Sequence, residues 1–470
     1  MIPPELAAAY DPDRFRADGH RLIDALADQL ARWHAREGRV LPWREPAEAR
    51  EAWAAEPFGG ADLVDDLARI AASSTALAHP RCMAHQVPPP LPGAVLAETV
   101  SALLNNGMAV AEMGPAAVPI EFAVIGWMCK TLGLAPGAGG VLTSGGSLGN
   151  LTALLAMRQA HAGFDVWREG AHAGPPLAVI VSADAHYSVA RTLRIMGWGD
   201  GGAIAAEIDA SHRMTAAAVE AALARADRKV IGIVASAGST ATGAFDPLDE
   251  LAELAAARGL WLHVDAAHGG GMAVSETGRA KLRGIERADS IIWDAHKLLM
   301  MPALVTAVLF RKEQHAYAAF AQDASYLFAG ADWWDLGHRT LECTKRMMAI
   351  ELWTALRVHG ERWFGAVVDR QLELARAFAE HVRASDDFEL ALAPESNIVC
   401  YRHRPPGLSG DALDAHNRAL RERVVSDGRF YIVGTKLRGA YWLRSTLMNP
   451  LIEPADVGAL LAHLRLLCPP

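Results

Sequence analysis

Three polar residues follow short apolar runs in this sequence, and their chemistry fits the activation of an aldehyde cofactor. His186 follows the run AVIVSA, Asp265 ends the segment WLHVD, and Lys297 follows the run SIIW. A lysine amine can form an imine with an aldehyde, and an aspartate can keep a pyridine nitrogen protonated. An aspartate at the end of a strand, or a His-Lys pair at the surface, is common by itself. The prediction of a site that forms an imine (a Schiff base) therefore rests on the combination of the three residues.

Two further segments carry small residues at positions that suit a phosphate. VIGIVA leads into the loop SAGSTATG, and Ser144-Gly145-Gly146-Ser147 precedes a helical pattern. The free N–H groups and positive dipole end of a helix N-terminus bind anions, although a plain helix cap is the alternative for GGS alone. The segment matches neither the dinucleotide-binding nor the GxxxxGK[ST] pattern. Ligands of α/β sheets bind at the carboxyl ends of strands, so we expect these segments to form one site.

Alternating helices and apolar runs between about residues 120 and 310 must position these residues. Short β-rich runs separated by helical patterns predict a mainly parallel sheet covered on both faces. The runs are Ala178–Ala183, Val230–Ala235, Trp261–Val264, Ser290–Trp293 and Ala303–Phe310.

The pattern changes after residue 340. Two long helical stretches, about 340–359 and 361–384, precede the strand-like segment NIVCYRH. A helix near 411–426 and the strand-like YWLRSTL follow. This order predicts a smaller α+β domain at the C-terminal end.

Composition excludes several other classes of protein. The 470 residues include 45 Lys+Arg and 54 Asp+Glu, and the net charge of −9 argues against nucleic acid or anionic membrane as a partner. Five scattered cysteines without a CxxC pair argue against a disulfide framework or zinc ribbon, so no metal site is expected. The charged N-terminus does not match a signal peptide, and the longest apolar run, Leu298–Phe310, is too short to span a bilayer. We expect a cytoplasmic protein.

Taken together, these segments resemble the pyridoxal-5′-phosphate (PLP)-dependent group II amino-acid decarboxylases, the family of the glutamate and aromatic-L-amino-acid enzymes. The resemblance extends from about HPRCMAHQ at residue 79 to RSTLMNP at 444–450. It rests on the HVDAA and DAHK segments and on the spacing of His186, Asp265 and Lys297. It implies PLP as the cofactor and decarboxylation of an L-amino acid to an amine and CO₂.

The resemblance also implies roles for individual residues. Lys297 resembles the lysine that binds the cofactor aldehyde, and Asp265 the partner of the pyridine nitrogen. His186 resembles the imidazole stacked on one face of the ring, and Ala267 the small residue under the other face. Further cofactor contacts are implied for Gly146, Ser147, Thr240 and His296. The roles of His268 and Asp294, which lie in the same segments, stay open.

Tyr326, in DASYLFAG, resembles the mobile-loop tyrosine that in this family returns a proton to the substrate α-carbon after CO₂ leaves. A packed loop aromatic is the alternative. Arg444 is similar to an arginine near the substrate carboxylate, and His85 and Gln86 lie in a segment that faces the substrate in relatives.

The substrate is the least determined part of the prediction. Gly107 and Ala109 leave room in a substrate-facing segment and no charge partner for a distal group stands out, so we favour an aromatic or large neutral amino acid. Acidic or diamino acids, namely glutamate, aspartate and 2,4-diaminobutyrate, remain open as alternatives.

The resemblance implies an α/β architecture of the aspartate-aminotransferase type, PLP fold type I. We expect an N-terminal helical arm over 1–80, a large PLP-binding domain over 81–350 and a small C-terminal domain over 351–470. The family works as a homodimer with shared active sites. An apolar stripe on the predicted N-terminal helix, formed by Leu22, Ile23, Leu26, Leu30 and Trp33, fits a role in dimerisation.

Two groups of competing functions keep the same fold. An aldehyde-forming decarboxylase, an aminotransferase or a C–C lyase would use the same cofactor, and Tyr326 argues for plain decarboxylation instead. A PLP-fold binding protein without activity is the second competitor, and Lys297 argues against it.

Overall fold

The computed structural model describes residues 2–320 and 333–468. Its helices are α1 (Pro4–Ala9), α2 (Pro12–His34), α3 (Pro46–Ala54), α4 (Leu63–Ala72), α5 (Pro92–Leu104), α6 (Ala117–Thr131), α7 (Gly146–His161), α8 (Val166–Glu169), α9 (Tyr187–Ile195), α10 (Ala216–Ala224), α11 (Leu248–Arg258), α12 (Ala349–His359), α13 (Glu361–Arg383), α14 (Gly410–Asp427) and α15 (Pro454–Leu466). Its strands are β1 (Gly139–Thr143), β2 (Leu177–Ser182), β3 (Ala203–Ala206), β4 (Lys229–Ser236), β5 (Trp261–Asp265), β6 (Ser290–Asp294), β7 (Thr306–Phe310), β8 (Phe388–Leu390), β9 (Ile398–His403), β10 (Val433–Leu437) and β11 (Ala440–Thr446).

Seven strands form one large sheet in the order β1-β7-β6-β5-β4-β2-β3. The neighbours from β6 to β3 all pair in parallel, whereas β7 runs antiparallel to both β6 and β1. Strands β1, β2, β6 and β7 are buried at every residue, so both faces of the sheet are covered. The predicted mainly parallel α/β architecture is confirmed.

The register of the parallel strands brings their carboxyl ends to one edge of the sheet. Ser236, the last residue of β4, pairs with Asp265 of β5, and Asp265 pairs with Ile292 of β6. Helix α7 starts three residues after β1 and packs on β1 and on β4 to β7. Its N-terminus therefore lies at the same edge as the strand-end residues.

Four strands form a second sheet in the order β10-β11-β9-β8. Its β8–β9 and β10–β11 pairs are antiparallel. None of the helices in the two described ranges is long and apolar enough to cross a membrane.

The chain divides into two compact units. The smaller unit comprises Met1–His85, Glu380–Ala391 and Cys400–Pro470, and the larger comprises Gln86–Ala379 and Leu392–Val399. The large sheet lies in the larger unit. The segment that we expected to be a separate arm belongs, in this division, to the same unit as most of the C-terminal region. Its role in dimerisation stays a prediction.

A buried ion pair anchors strand β1, which leads into the turn that is predicted to bind a phosphate. The side chains of Glu121 in α6 and Lys345 are each 1% exposed, and the two form an ion pair. Glu121 Oε1 also accepts from the N–H of Leu142 at 2.9 Å, and Lys345 Nζ donates to the Leu142 carbonyl at 2.6 Å. The pair therefore satisfies both backbone groups of a β1 residue that would otherwise be buried without a partner. Burial lowers the pKa of Lys345.

We expect Lys345→Met to lower the free energy of unfolding by about 3–5 kcal/mol, because it leaves the Glu121 carboxylate buried and unpaired. The double variant Glu121→Leu/Lys345→Met should lose less than the sum of the two single losses. Urea unfolding followed by circular dichroism measures these differences. The exposed pair Arg258–Glu220 is the control, and Arg258→Met should cost at most about 1 kcal/mol. Additive losses for the buried pair would contradict the coupling.

Candidate active site

A cavity of about 170 Å³ lies in the larger unit at the carboxyl ends of β4, β5 and β6, beside the first turn of α7. All eight residues that the sequence analysis assigns to a cofactor line it: Gly146, Ser147, His186, Thr240, Asp265, Ala267, His296 and Lys297. The lining also includes Asn150, Ser236, Ser239, His268 and Asp294. The structure therefore brings together residues that are spread over about 150 positions of the chain, as expected for strand ends of one sheet.

The amine of Lys297 is held at the cavity edge by Asp294. Lys297 Nζ lies 3.1 Å from Asp294 Oδ2, and the Asp294 side chain is only 3% exposed. Thr306 Oγ1 donates to the other carboxylate oxygen at 2.6 Å, which fixes the orientation of the carboxylate. His296 Nε2 lies 3.6 Å from Asp294 Oδ2, and His296 Nδ1 lies 2.9 Å from the Val305 carbonyl oxygen. Asp294 thus balances the charge of the lysine in a largely buried place.

The carboxylate of Asp265 is held by two N–H donors. Its Oδ1 accepts from the backbone N–H of Ala267 at 3.2 Å, and its Oδ2 accepts from Asn150 Nδ2 at 3.0 Å. Hydrogen bonds from N–H groups to a carboxylate are charge-assisted, so they set its orientation and complement its negative charge. Asn150, in the second turn of α7, is fully buried and is absent from the sequence prediction.

Asn150 is the hub of a buried network that continues away from the cavity. Its Nδ2 also donates to Ser188 Oγ at 2.9 Å, and its Oδ1 lies 2.8 Å from His263 Nε2. His263 Nδ1 lies 2.8 Å from Ser290 Oγ, which accepts from Trp261 Nε1 at 2.8 Å.

The chemistry of these groups sets the direction of every hydrogen bond. An amide oxygen only accepts, so His263 Nε2 must donate to Asn150. Burial lowers the pKa of His263 to about 4, so the ring is neutral and Nδ1 accepts from the Ser290 hydroxyl. Trp261 is a donor only and ends the chain. The amide of Asn150 is therefore left with its NH₂ group facing Asp265 and Ser188.

The same network selects the tautomer of His186. This residue caps the N-terminus of α9, and its Nδ1 accepts from the Ser188 N–H at 3.4 Å. Ser188 Oγ, which already accepts from Asn150, lies 2.7 Å from the same nitrogen and donates its proton to it. Burial lowers the pKa of His186. Burial thus favours the neutral ring, and because Nδ1 accepts both hydrogen bonds, the neutral ring carries its proton on Nε2.

The start of α7 has the shape of an anion site. Gly145 precedes the helix with φ 102°, a conformation that favours glycine. A Cβ added to Gly146 would lie 3.3 Å from Asp294 Oδ2 and 3.7 Å from the Ala267 Cβ, so the backbone approaches the cavity closely only because this residue has no side chain. The first N–H groups of the helix, at Gly146 and Ser147, are available to a phosphate.

Three further predicted site residues, His85, Gln86 and Arg444, do not line the cavity. His85 lies in the smaller unit, where its Nε2 is 3.0 Å from the hydroxyl of Tyr431. Arg444, on β11 of the smaller unit, is 6% exposed, and its Nε and Nη2 have no hydrogen-bond partner among the described residues. Gln86 lies in the larger unit, and its buried Nε2 is likewise unpaired among the described residues. Tyr326 lies outside the described residues.

Comparisons with known proteins identify the family of this chain. The family model of the pyridoxal-dependent decarboxylase conserved domain matches residues 49–404. The chain is 31% identical to the cysteine sulfinic acid decarboxylase of Mus musculus, over 91% of each chain. It is 30% identical to the L-2,4-diaminobutyrate decarboxylase of Acinetobacter baumannii, over 82% of this chain and 79% of the relative. The crystal structure of mouse CSAD has a TM-score of 0.89 at 28% identity, covering 97% of this chain and 99% of that chain.

We expect Asn150→Ala to lower the free energy of unfolding by about 1–3 kcal/mol, because it leaves the N–H of His263 buried without an acceptor. The same variant should weaken PLP binding, because it removes a hydrogen-bond donor from Asp265. Asn150→Asp should weaken PLP binding further, since it keeps the acceptor for His263 but adds a negative charge beside Asp265. Urea unfolding and PLP release, followed by absorbance, measure both effects. Asn106→Ala, at a half-buried asparagine that does not line the cavity and whose side chain donates to the Leu104 carbonyl, is the control. Native PLP affinity in both Asn150 variants would refute the positioning role.

Proposed function

The chain belongs to the family of pyridoxal-dependent decarboxylases, and on that premise we propose that its substrate is a short acidic L-amino acid. It is a PLP-dependent carboxy-lyase that converts an amino acid to an amine and CO₂. The proposed substrate has a second acid group, a carboxylate or a sulfinate, at the end of its side chain. The roles given below to single residues are part of the proposal.

The observation that carries the proposal is a cluster of basic groups without acidic partners in the smaller unit. Burial, followed by the positive charges of Arg444 and Arg421, lowers the pKa of the His85 imidazole. Nε of each arginine is buried and has no hydrogen-bond partner among the described residues. A buried, unpaired guanidinium is costly, and carboxylates are its preferred partners. Arg444, which is 6% exposed, fits this description, and the half-buried Arg421 adds a second positive charge for an amino acid with two acid groups.

The names of the relatives support the same class. The Mus musculus relative is a cysteine sulfinic acid decarboxylase, whose substrate carries a second acid group. The expected preference for an aromatic or large neutral substrate is not confirmed, because neither relative is named for such a substrate. The Acinetobacter baumannii relative makes 2,4-diaminobutyrate the second candidate. The distal ammonium group of 2,4-diaminobutyrate would be repelled by the guanidinium groups of Arg421 and Arg444, so we rank this substrate below an acidic one.

The cavity residues fit PLP. A primary amine, a fixed carboxylate and an open helix N-terminus line the same cavity at Lys297, Asp265 and Gly146. When bound, PLP supplies an aldehyde that links to amines and a conjugated ring that accepts the electrons left behind by departing CO₂.

We assign the supporting roles as follows. Lys297 holds the cofactor aldehyde, and Asp265 keeps the pyridine nitrogen protonated. His186, with its proton on Nε2, stacks on the ring opposite Ala267. The phosphate is held by the N–H groups of Gly146 and Ser147 together with His296, while Thr240 lies near the substrate carboxylate. Arg444 binds an acid group of the substrate, with His85 and Gln86 in the substrate-facing segment.

We also propose that the enzyme is a homodimer with shared active sites. Helix α5 exposes a row of apolar side chains, each at least 39% accessible: Val95, Leu96, Val100, Leu103 and Leu104. Contiguous apolar patches on a protein surface mark interfaces, and a second copy of the chain is the occupant that the family resemblance implies.

The substrate class can be tested with a panel of amino acids. We expect CO₂ release from cysteine sulfinate, aspartate or glutamate to have a kcat/KM at least about tenfold above that of 2,4-diaminobutyrate or tryptophan. Arg421→Gln should raise KM for the acidic substrate by about tenfold with a smaller change in kcat, because a charge-assisted hydrogen bond is worth 1.5 kcal/mol or more. Arg418→Gln, on the same helix but packed on Tyr441, is the control. The highest kcat/KM for tryptophan or 2,4-diaminobutyrate would contradict the proposal.

The reaction outcome can be tested at Tyr326. We propose that its hydroxyl returns a proton to the substrate α-carbon after CO₂ leaves. Tyr326→Phe should lower amine formation at least about tenfold, keep PLP bound, and allow an aldehyde product to form in air. Product analysis by mass spectrometry measures both products, and Tyr10→Phe, at an exposed tyrosine, is the control. Amine formation at the native rate would exclude Tyr326 as the proton donor.

A further inference from the structure

Three side chains of the smaller unit converge on one point that the PLP chemistry does not use. His403 ends β9, His416 lies in α14, and Cys468 follows α15. His403 Nδ1 is 2.9 Å from His416 Nε2 and 3.4 Å from Cys468 Sγ, and one donor atom from each of the three lies within 4.8 Å of the others. We propose that this His-His-Cys triad binds a zinc ion or a similar borderline divalent cation.

The types and distances of the donor atoms fit zinc. Two imidazole nitrogens and a sulfur are zinc ligands, with bonds of about 2.0–2.1 Å to nitrogen and about 2.3 Å to sulfur. In a tetrahedron with those bond lengths, neighbouring donors lie about 3.3–3.6 Å apart. The two distances from His403 Nδ1, 2.9 and 3.4 Å, are close to this range. Cys468 Sγ also lies 3.9 Å from His403 Nε2, so the sulfur sits beside the ring and must shift by an ångström or more to share a metal with Nδ1. Water would complete the fourth position.

A carboxylate stands behind one of the proposed ligands. Asp387 Oδ2 is 3.4 Å from Nε2 of His403, the nitrogen opposite the one that faces the triad. Arg465 fixes this carboxylate by donating to both of its oxygens at 2.7 Å. A carboxylate on the far nitrogen of a ligating histidine orients the ring and makes it a stronger ligand. Asp387 thus supplies the outer partner that metal-binding histidines usually have.

Cys468 is free to act as a ligand. It forms no disulfide, and its contacts are to the His403 ring and to the Leu464 carbonyl oxygen. Across residues 2–320 and 333–468, no other three His, Cys, Asp or Glu residues bring their donor atoms so close together. The ligands come from β9, α14 and the end of α15, so a bound metal would tie the last helix to the sheet and stabilise the smaller unit.

The test uses the PLP-loaded enzyme after treatment with a chelator and removal of that chelator. Co²⁺ should bind at one equivalent per chain, with the visible bands of tetrahedral cobalt and a thiolate-to-cobalt charge-transfer band. Zn²⁺ should displace it and raise the thermal midpoint of unfolding. No saturable Co²⁺ binding, or octahedral bands without a thiolate band, would overturn the proposal.

Variants locate the site. Cys468→Ser should abolish the thiolate band, and His416→Gln, at a partly exposed helix position, should lower Zn²⁺ affinity at least about tenfold, because each removes a ligand. Asp387→Asn should lower it by about 10–100-fold while keeping the thiolate band. Cys343→Ser, at an exposed free cysteine of the larger unit, is the matched control and should bind like the wild type. One-equivalent Co²⁺ binding with an unchanged thiolate band in Cys468→Ser would overturn the proposal. Circular dichroism confirms that each variant is folded.

Discussion

The hydrogen bond from Asn150 to Asp265 is the interaction on which the active site depends. A carboxylate can remain charged in a partly buried cavity only if N–H donors replace its lost water, and Asn150 supplies one of the two. The amide cannot rotate to present its oxygen instead, because that oxygen accepts from His263. The orientation of the Asp265 carboxylate therefore depends on Asn150 and, through it, on His263, a buried residue that does not line the cavity.

The network also couples the two groups expected on the cofactor ring. Asn150 donates both to Asp265 and to Ser188, and Ser188 in turn donates to His186. One amide thus keeps Asp265 as an acceptor and places the proton of His186 on the nitrogen away from the network. Residues that act as a unit in this way are not additive, so their single contributions to turnover cannot be summed.

Charge balance explains much of the remaining architecture. Inside the larger unit, Lys297 pairs with Asp294, and Lys345 pairs with Glu121. Each of these two lysines has an acidic partner nearby, which offsets the cost of placing a charge in a low-dielectric interior. In the smaller unit, Nε of Arg421 and both Nε and Nη2 of Arg444 are buried and have no hydrogen-bond partner among the described residues. The acid groups of the proposed substrate would supply partners for these nitrogens.

The sequence pattern predicted the parallel core of the fold, and the family resemblance implied eight of the fifteen residues that line the cavity. The apolar runs that end at or just before His186, Asp265 and Lys297 were informative, because the carboxyl ends of neighbouring parallel strands lie at the same edge of a sheet. The strands β1 and β3 escaped prediction, since GGVLT and AIAA contain residues of low strand propensity. The antiparallel direction of β7 depends on how it pairs with β6 and β1, and no local sequence pattern indicates that direction.

The tertiary structure alone decided the directions of the side chains. Asn150 lies on helix α7, where the sequence pattern marks it only as a polar residue. Its partner His263 lies inside the apolar strand β5. His403, His416 and Cys468 are separated by up to 65 residues and match no ligand pattern. Contacts of this kind depend on which faces of distant elements pack together, and that packing is set by the whole fold. The ends of strands and the starts of helices, in contrast, are indicated by local sequence patterns.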